Sequence, residues 1–247
     1  MDVVGPGEHG RRVAGMFGRI AGWYDFLNHF LSLGLDLVWR KRLVSHLAPL
    51  VPPAGGGRLS VLDLAAGTLD VTRAILRRYP GARVAAMDFA WPMLRRGQGK
   101  LSVRERGTVL TALADGRELP LHDASVDGVT IAFGIRNIIP RPRAHAEILR
   151  VLRPNGRYCI LEFGAGRKRI LKGLYNFYLS RLLPLLGRVI SGDDQAYRYL
   201  AETIKAFPDE NQLDVELLES GFARVFHESL AFGIVYIHVA EKKGGGE

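Results

Sequence analysis

The stretch Val61-Leu-Asp-Leu-Ala-Ala-Gly-Thr-Leu-Asp70, followed by Ala82-Arg-Val-Ala-Ala-Met-Asp88, leaves few folds open to this chain. An apolar run ends on a turn of small residues, a helical segment follows, and a second apolar run closes on an acid. Asp88 lies 20 positions after Thr68, close to the offset of about 20 residues at which a second-strand acid meets a ribose hydroxyl in dinucleotide-type folds. Strand, turn, helix, strand and acid in that order describe a site for a nucleotide-type cofactor.

The rest of the chain extends the pattern. Strand-like runs fall at Leu59 to Leu64, Arg83 to Met87, Val109 to Leu113, Val126 to Phe133 and Tyr158 to Phe163, with helical segments after Leu69, after Trp91 and from Arg141 to Leu152. Such alternation predicts a mostly parallel sheet with right-handed crossovers, and Pro154-Asn-Gly156 supplies a turn before the fifth strand. Ala223 to Glu228 and Gly233 to Ala240 read as an antiparallel hairpin at the sheet's edge, giving seven strands. From Arg11 to Leu50 apolar residues recur at helical spacing, a helical N-terminal cap, and Pro52-Pro-Ala-Gly-Gly-Gly57 separates it from the core. Lys168 to Pro208, rich in leucine, tyrosine and arginine, reads as inserted helices.

One domain over residues 11–243 is expected, made of the cap (11–50), a cofactor-binding core (58–163) and the inserted helices (168–208), with loose tails at 1–10 and 244–247. The 247 residues suffice for one large core, and the formal charge of +9 favours an anionic partner: nucleic acid, an acidic substrate or a membrane surface. Cys159 is the single cysteine, which rules out an internal disulfide or a cysteine zinc cluster, and no metal-ligand spacing is read elsewhere. No secretory signal or spanning segment is recognised, so a cytoplasmic protein is expected. Tyr175, Tyr178, Leu179, Leu182 and Leu183 share a helical face near Lys168, Arg169, Lys172, Arg181 and Arg188. That basic amphipathic stretch allows either a solvated helix or peripheral contact with the inner face of a membrane.

The first turn carries one glycine, Gly67, in Ala65-Ala-Gly-Thr-Leu-Asp70. A pyrophosphate-binding turn needs three, as G-x-G-x-x-G, so a nicotinamide dinucleotide is disfavoured. Asp63, Asp88 and Asp115 come at or just after the carboxyl ends of three successive strands, where open α/β sheets bind ligands. A lone strand-end aspartate is usually a cap or turn residue; three at one edge suit S-adenosylmethionine, which has no phosphate and presents an ammonium, a sulfonium and ribose hydroxyls. Asp88 is then the ribose acceptor, Asp63 orients the turn or the ammonium, and Asp115 with the Gly116 amide meets the adenine edge.

At these residues the chain resembles the class I methyltransferases, with their Rossmann-like α/β fold. More narrowly, it resembles the quinone-biosynthesis C-methyltransferases that methylate demethylmenaquinol or a polyprenyl benzoquinol. Four stretches carry the resemblance: Trp23-Tyr-Asp-Phe-Leu-Asn28 with Ser32-Leu-Gly34 and Trp39-Arg40; Phe133-Gly-Ile-Arg-Asn137; Leu161-Glu-Phe163; and Tyr197-Arg-Tyr-Leu200 with Phe207-Pro208. Asp88 ahead of Met93-Leu94, and Asp115-Gly116 ahead of Leu119-Pro120, follow the same order. The resemblance implies Thr68, Asp88, Asp115 and Gly116 as cofactor contacts, with Ala132 bordering the cofactor on the fourth strand. It places Arg136 and Asn137 at the acceptor ring, where a permanent guanidinium charge favours the phenolate. The base is left among a water held by Asp115 or Asn137, His29, and Tyr24. A polyprenyl quinol is the implied substrate, and a homodimer is compatible with the sequence.

Leu69 departs from the family pattern, standing where its Gly-Thr-Gly-Asp turn has a second glycine. A leucine there resists positive φ and is expected to add bulk beside the cofactor's methionine moiety. This admits a second reading, a non-catalytic member that acts as a scaffold for quinone enzymes; methylation of another small aromatic molecule is a third. Nucleic-acid methylation ranks last, because the basic residues are dispersed without an aromatic-basic cluster.

Overall fold

The computed structural model describes residues 32–50, 57–164 and 194–245, with Gly10, Gly15, Met16, Gly18, Arg19, Gly22 and His29 ahead of them; for residues 194–198 only the backbone is described. In chain order the strands are β1 (Ser60–Leu64), β2 (Arg83–Asp88), β3 (Val109–Leu113), β4 (Val126–Ala132), β5 (Leu152–Phe163), β6 (Arg224–Leu230) and β7 (Val235–Glu241). The helices are α1 (Leu35–Ser45), α2 (Asp70–Arg78), α3 (Trp91–Lys100), α4 (Val103–Arg106), α5 (Arg141–Val151), α6 (Asp194–Ala206) and α7 (Glu210–Glu219).

All seven strands form one sheet in the order β3-β2-β1-β4-β5-β7-β6. The first five are parallel, and β7 runs antiparallel between β5 and β6. This is the expected fold, with the hairpin placed one or two residues further along the chain than the sequence suggests. β5 also begins earlier, at Leu152: its register with β4 jumps from Val126–Leu152 to Gly128–Arg157, so Pro154-Asn-Gly156 forms a bulged excursion within the strand pairing. Asn155 takes a left-handed φ of 63° there, a conformation asparagine tolerates better than most residues.

Because side chains alternate across a strand, each central strand feeds two cores. Leu62, Leu64, Val129, Ile131, Tyr158 and Ile160 pack on one face with Ile148 of α5 and Leu213 and Leu217 of α7. Val61, Cys159, Leu161, Ile237 and Val239 pack on the other with Leu43 and Val44 of α1 and Ile75 and Leu76 of α2. Local signals fix the helix ends. Asp209 and Gln212 form a capping box at α7, as Ser102 and Glu105 do at α4; α2 opens on Asp70 and ends on Arg77 and Arg78, complementing its dipole. The strand order reverses at β1, so the switch-point crevice opens beyond the carboxyl ends of β1 and β4.

Of the expected cap, α1 and the three-residue helical turn Ala48–Leu50 are described. The Trp23–Asn28 motif, Tyr24 with it, and the basic amphipathic stretch from Lys168 to Arg188 lie outside the described residues.

Candidate active site

The β1–α2 turn curls through three left-handed residues, Ala65 (φ 53°), Gly67 (φ 54°) and Leu69 (φ 65°). A Cβ at Gly67 would meet only Met93 Cε, at 3.7 Å, so backbone conformation, rather than crowding, is what calls for glycine there. Leu69 carries the same conformation with a full side chain, and that side chain is completely buried with Ala86, Leu94 and Leu101. A residue lining an open crevice keeps exposed surface; Leu69 has none, so the expected bulk beside the cofactor is instead packed under α3.

Asp88 ties the turn to its neighbours. Its Oδ2 accepts the Gly67 N–H at 2.8 Å and its Oδ1 the Ala90 N–H at 2.7 Å. Backbone bonds from Ala66 to Met87 and from Ala114 to Asp88 hold the β1 and β3 loops to the same strand end. Burial pushes the Asp88 carboxyl above its ordinary pKa, against the backbone hydrogen bonds. Each oxygen keeps a lone pair for a further donor such as a ribose hydroxyl.

Asp63 stands differently. It is buried beneath the turn, accepting Thr72 Oγ1 at 2.6 Å and Thr130 Oγ1 at 2.9 Å. Burial raises its pKa to about 6, with the two threonine hydroxyls opposing. Both oxygens are engaged inside the protein, so of the two expected roles it is suited to orienting the turn. Thr68 is likewise buried.

Asp115 is gripped by Arg117, whose Nε and Nη2 reach its two oxygens at 2.9 and 2.5 Å and whose Nη1 continues to the Ile139 carbonyl at 2.7 Å. Hydrogen bonds from Arg117 hold its pKa below the usual value, against partial burial. A ligand amino group meeting Asp115 would share the carboxylate with Arg117. Gly116 is a packing requirement, since a Cβ would come within 2.9 Å of Ile138 Cδ1 and 3.2 Å of Leu64 Cδ2. Ala132 ends β4 on the crevice side, and at Gly134 a Cβ would fall 2.5 Å from Ala65 Cβ, so the β1 and β4 loops abut.

Beyond this contact the neighbouring side chains are aromatic and cationic. Arg136, in the turn Ile135–Asn137, donates from Nη1 to the Phe133 carbonyl at 2.6 Å and to Glu162 Oε1 at 2.7 Å. Both partners of the ion pair are buried, and Arg136 Nε and Glu162 Oε2 are each buried without a hydrogen-bond partner. Burial raises the Glu162 pKa, with the Arg136 charge working against it. The guanidinium lies 5.8 Å from the Phe163 ring centre; Phe163 packs on Phe133 at 4.7 Å, and Trp39 meets Phe133 edge-on at 6.4 Å. Arg40 stands 6.0 Å from the Phe133 ring and pairs with buried Asp36, which also accepts Ser32 Oγ at 2.9 Å and faces His29 Nδ1 at 2.7 Å. Asn137 Oδ1 accepts the Tyr199 hydroxyl at 3.1 Å.

Among the residues that join the site without having been singled out by sequence reasoning are Asp36, Glu162 and Tyr199. Glu162 had a visible signal, a carboxylate in the otherwise apolar strand Tyr158-Cys-Ile-Leu-Glu-Phe163, which needs a cationic partner if the strand is buried. Tyr199 and Asp36 fall inside or beside the distinctive motifs, but their partners are 62 and 7 residues away and no local pattern names them.

The chemistry at these strand ends fits S-adenosylmethionine: Asp88 after β2 keeps acceptor capacity, Asp115 after β3 has a carboxylate it can share, and the turn after β1 has a single glycine, which does not make a pyrophosphate cradle. The model of the ubiE/COQ5 methyltransferase family matches residues 7–242. A curated relative from Thermus thermophilus, named demethylmenaquinone methyltransferase, is 42% identical, the match covering 92% of this chain and 100% of that one. Another from Geobacter sulfurreducens, named ubiquinone/menaquinone biosynthesis C-methyltransferase UbiE, is 38% identical over 95% of this chain and 90% of its own. Among solved structures, a SAM-dependent methyltransferase from Thermotoga maritima superposes with a TM-score of 0.63 at 15% identity, covering 93% of this chain and 99% of that one, a likeness of fold. The chain belongs to the ubiE/COQ5 methyltransferase family and is an S-adenosylmethionine-dependent methyltransferase.

Proposed function

We propose that this enzyme methylates a ring carbon of a demethylated polyprenyl quinol, with demethylmenaquinol as the first candidate and the benzoquinol analogue as the second. Menaquinone is the ring system that the names of both relatives share. The observation that carries the reading is Arg136, fixed by Glu162 and held over Phe163 at the end of β4. A flat aromatic acceptor suits a wall built from Phe133, Phe163 and Trp39.

Gly67, Thr68, Asp88, Asp115, Gly116 and Ala132 would hold S-adenosylmethionine, with Asp88 taking the ribose hydroxyls and Asp63 supporting the turn from beneath. When bound, it supplies an electrophilic methyl group on a sulfonium whose departure leaves a neutral thioether. Arg136 stabilises the quinol oxygen as a phenolate, which makes the adjacent ring carbon nucleophilic. Asn137, oriented by Tyr199, positions the ring. Asp36 fixes His29 through Nδ1 and leaves Nε2 to accept the quinol proton, the arrangement by which a carboxylate sets a histidine's tautomer. Alignment in a dry pocket supplies the rest, so no protein nucleophile is required.

The tail of such a substrate resides in lipid. No helix among the described residues is long and apolar enough to cross a membrane. At the start of α1, however, Leu33, Leu37 and Val38 are exposed apolar residues next to exposed Lys41 and Arg42. That combination supports peripheral contact with an anionic inner leaflet.

The test is incubation with methyl-labelled donor and each demethylated quinol in detergent or liposomes. Labelled menaquinol or its benzoquinol counterpart is expected. Product from neither, with the donor shown to bind by calorimetry, overturns the assignment in favour of another small aromatic acceptor; product from neither without donor binding favours the scaffold. Asp88→Ala is expected to abolish donor binding, whereas Arg136→Ala spares it and lowers kcat.

A further inference from the structure

On the sheet face covered by α7, two histidines and an aspartate converge. His227 of β6 and His238 of β7 are directly paired across the hairpin, so their side chains emerge on one face. Asp214 comes down from α7, its Oδ2 standing 2.6 Å from His227 Nδ1 and its Oδ1 2.7 Å from His238 Nδ1. The three donor atoms lie within 4.8 Å of one another, the one such group of three histidine, cysteine or acidic ligands found among the described residues.

We propose that Asp214, His227 and His238 form a binding site for a divalent transition metal ion of the zinc, cobalt or nickel class. Two imidazole nitrogens and one carboxylate oxygen are a borderline donor set that selects these ions over magnesium or calcium, which favour all-oxygen shells. Ligands 2.0–2.2 Å from a tetrahedral ion stand roughly 3.3 Å apart. The two carboxylate–imidazole contacts, 2.6 and 2.7 Å through different oxygens of Asp214, therefore part by roughly 0.6–0.7 Å, and ligand atoms now spread within 4.8 Å of one another draw in around the ion, movements within reach of the part-exposed side chains of Asp214 and His227. Both imidazoles turn the same nitrogen, Nδ1, towards the carboxylate; a ring nitrogen coordinates a metal only when it carries no proton, so binding places any imidazole proton on Nε2. His238 is buried while the other two are partly open, leaving a path from solvent and room for water to complete the shell.

The site is structural. β7 lies three strands from β1 in the sheet order, about 14 Å away at the usual strand spacing. Its ligands join α7 to the terminal hairpin, so the ion staples the last helix to the edge of the sheet. Nothing in the local sequence shows it, because the ligands are spaced 13 and 11 residues apart on three elements.

The full-length protein, stripped of metal with chelator and dialysed, should be titrated with Zn²⁺ by calorimetry and with Co²⁺ by absorption. One equivalent bound, visible d–d bands from nitrogen-ligated Co²⁺, and a rise in Tm with Zn²⁺ are expected. His227→Ala and Asp214→Ala, both at part-exposed positions and checked for fold by circular dichroism, should each weaken binding at least 100-fold and leave kcat and KM for methyl transfer unchanged. Absence of saturable binding to the folded native protein overturns the proposal. So does undiminished binding in both variants, which would place the ion on other histidines. Neither outcome bears on the assignment of the quinol substrate, which is read from product formation.

Discussion

A methyl group added to Gly97 would fall 2.4 Å from Leu69 Cγ and 2.8 Å from the Thr68 carbonyl carbon. Gly97 of α3 is thus the socket into which the leucine of the cofactor turn inserts. The substitution that departs from the family's turn is matched, in this chain, by a helix residue with no side chain.

Two opposing effects decide what restoring glycine at position 69 would do. Glycine relieves a left-handed φ of 65°, worth about 1 kcal/mol, but empties a fully buried leucine site, worth roughly 2–5 kcal/mol. Packing wins, so Leu69→Gly is expected to lower stability by about 1–4 kcal/mol while leaving donor affinity within about threefold of native. Gly97→Ala should also destabilise, by about 1–3 kcal/mol, and Leu69→Ala should recover part of that loss in the double variant. Urea denaturation and donor calorimetry check both points; a large gain in donor affinity in Leu69→Gly would mean that the leucine obstructs the site after all.

A second expectation concerns Glu162 and Arg136. Glu162→Ala strands a buried guanidinium and is expected to cost about 3–5 kcal/mol. Glu162→Gln keeps a hydrogen-bond acceptor and should fold. It should bind the donor normally and lower kcat by roughly 10–100-fold, since Arg136 loses the partner that fixes its direction at the acceptor ring. Thermal melts with steady-state kinetics on both variants separate the structural part from the positioning part. Native kcat in Glu162→Gln would show that the pair serves stability alone.

These residues mark where sequence was informative and where it stopped. The β1-turn-α2-β2 unit was legible because its signals are local: apolar runs of strand length, a small-residue turn, and an acid at a fixed offset. Even the two cores follow from alternation along β1, β4 and β5. Gly67 was legible as a special position, and its left-handed φ of 54°, with no protein atom crowding it, gives the reason. What Leu69 does was not legible, because its socket is 28 residues away. Asp63 looked like a ligand contact from its place at a strand end, yet Thr72 and Thr130 take both its oxygens, and Thr130 is 67 residues distant. Long-range partners decide whether a carboxylate faces a crevice or a core, and a single sequence does not name them.

Asp63 gives a third test through pH. Its folded-state pKa is about 6, above the unfolded value near 3.9, so the native state holds the proton more tightly. Stability is then highest with Asp63 protonated and falls as pH rises from about 4 to 6, by roughly 3 kcal/mol for a shift of this size. Asp63→Asn mimics the protonated form and can still bond both threonine hydroxyls. The variant's advantage over the native protein should grow from pH 4 to 6 and then level off. A stability difference that stays constant across that window would show that Asp63 is not held in this strained ionisation.

The opposite sign is expected at Glu216, where α7 meets α5. Its oxygens accept Arg141 Nε and Nη2 at 2.9 Å each and face His145 Nε2 at 3.0 Å, two residues one helical turn apart. Burial works to raise its pKa, but the hydrogen bonds and charges of His145 and Arg141 prevail and bring it down to about 2. Because the folded value is depressed, the stabilisation is complete above the unfolded pKa near 4.3 and is lost as pH falls from there towards 2. Solvent screening of a part-exposed carboxylate limits the effect to about 1–2 kcal/mol. Glu147, Asp115 and Asp214 also titrate low, so the informative quantity is the difference between native protein and Glu216→Gln. That difference in urea midpoint should be largest at pH 6 and shrink by pH 3, as protonation of Glu216 in the unfolded chain removes the native state's advantage; a gap that persists undiminished at pH 3 would locate the acid-sensitive contact elsewhere.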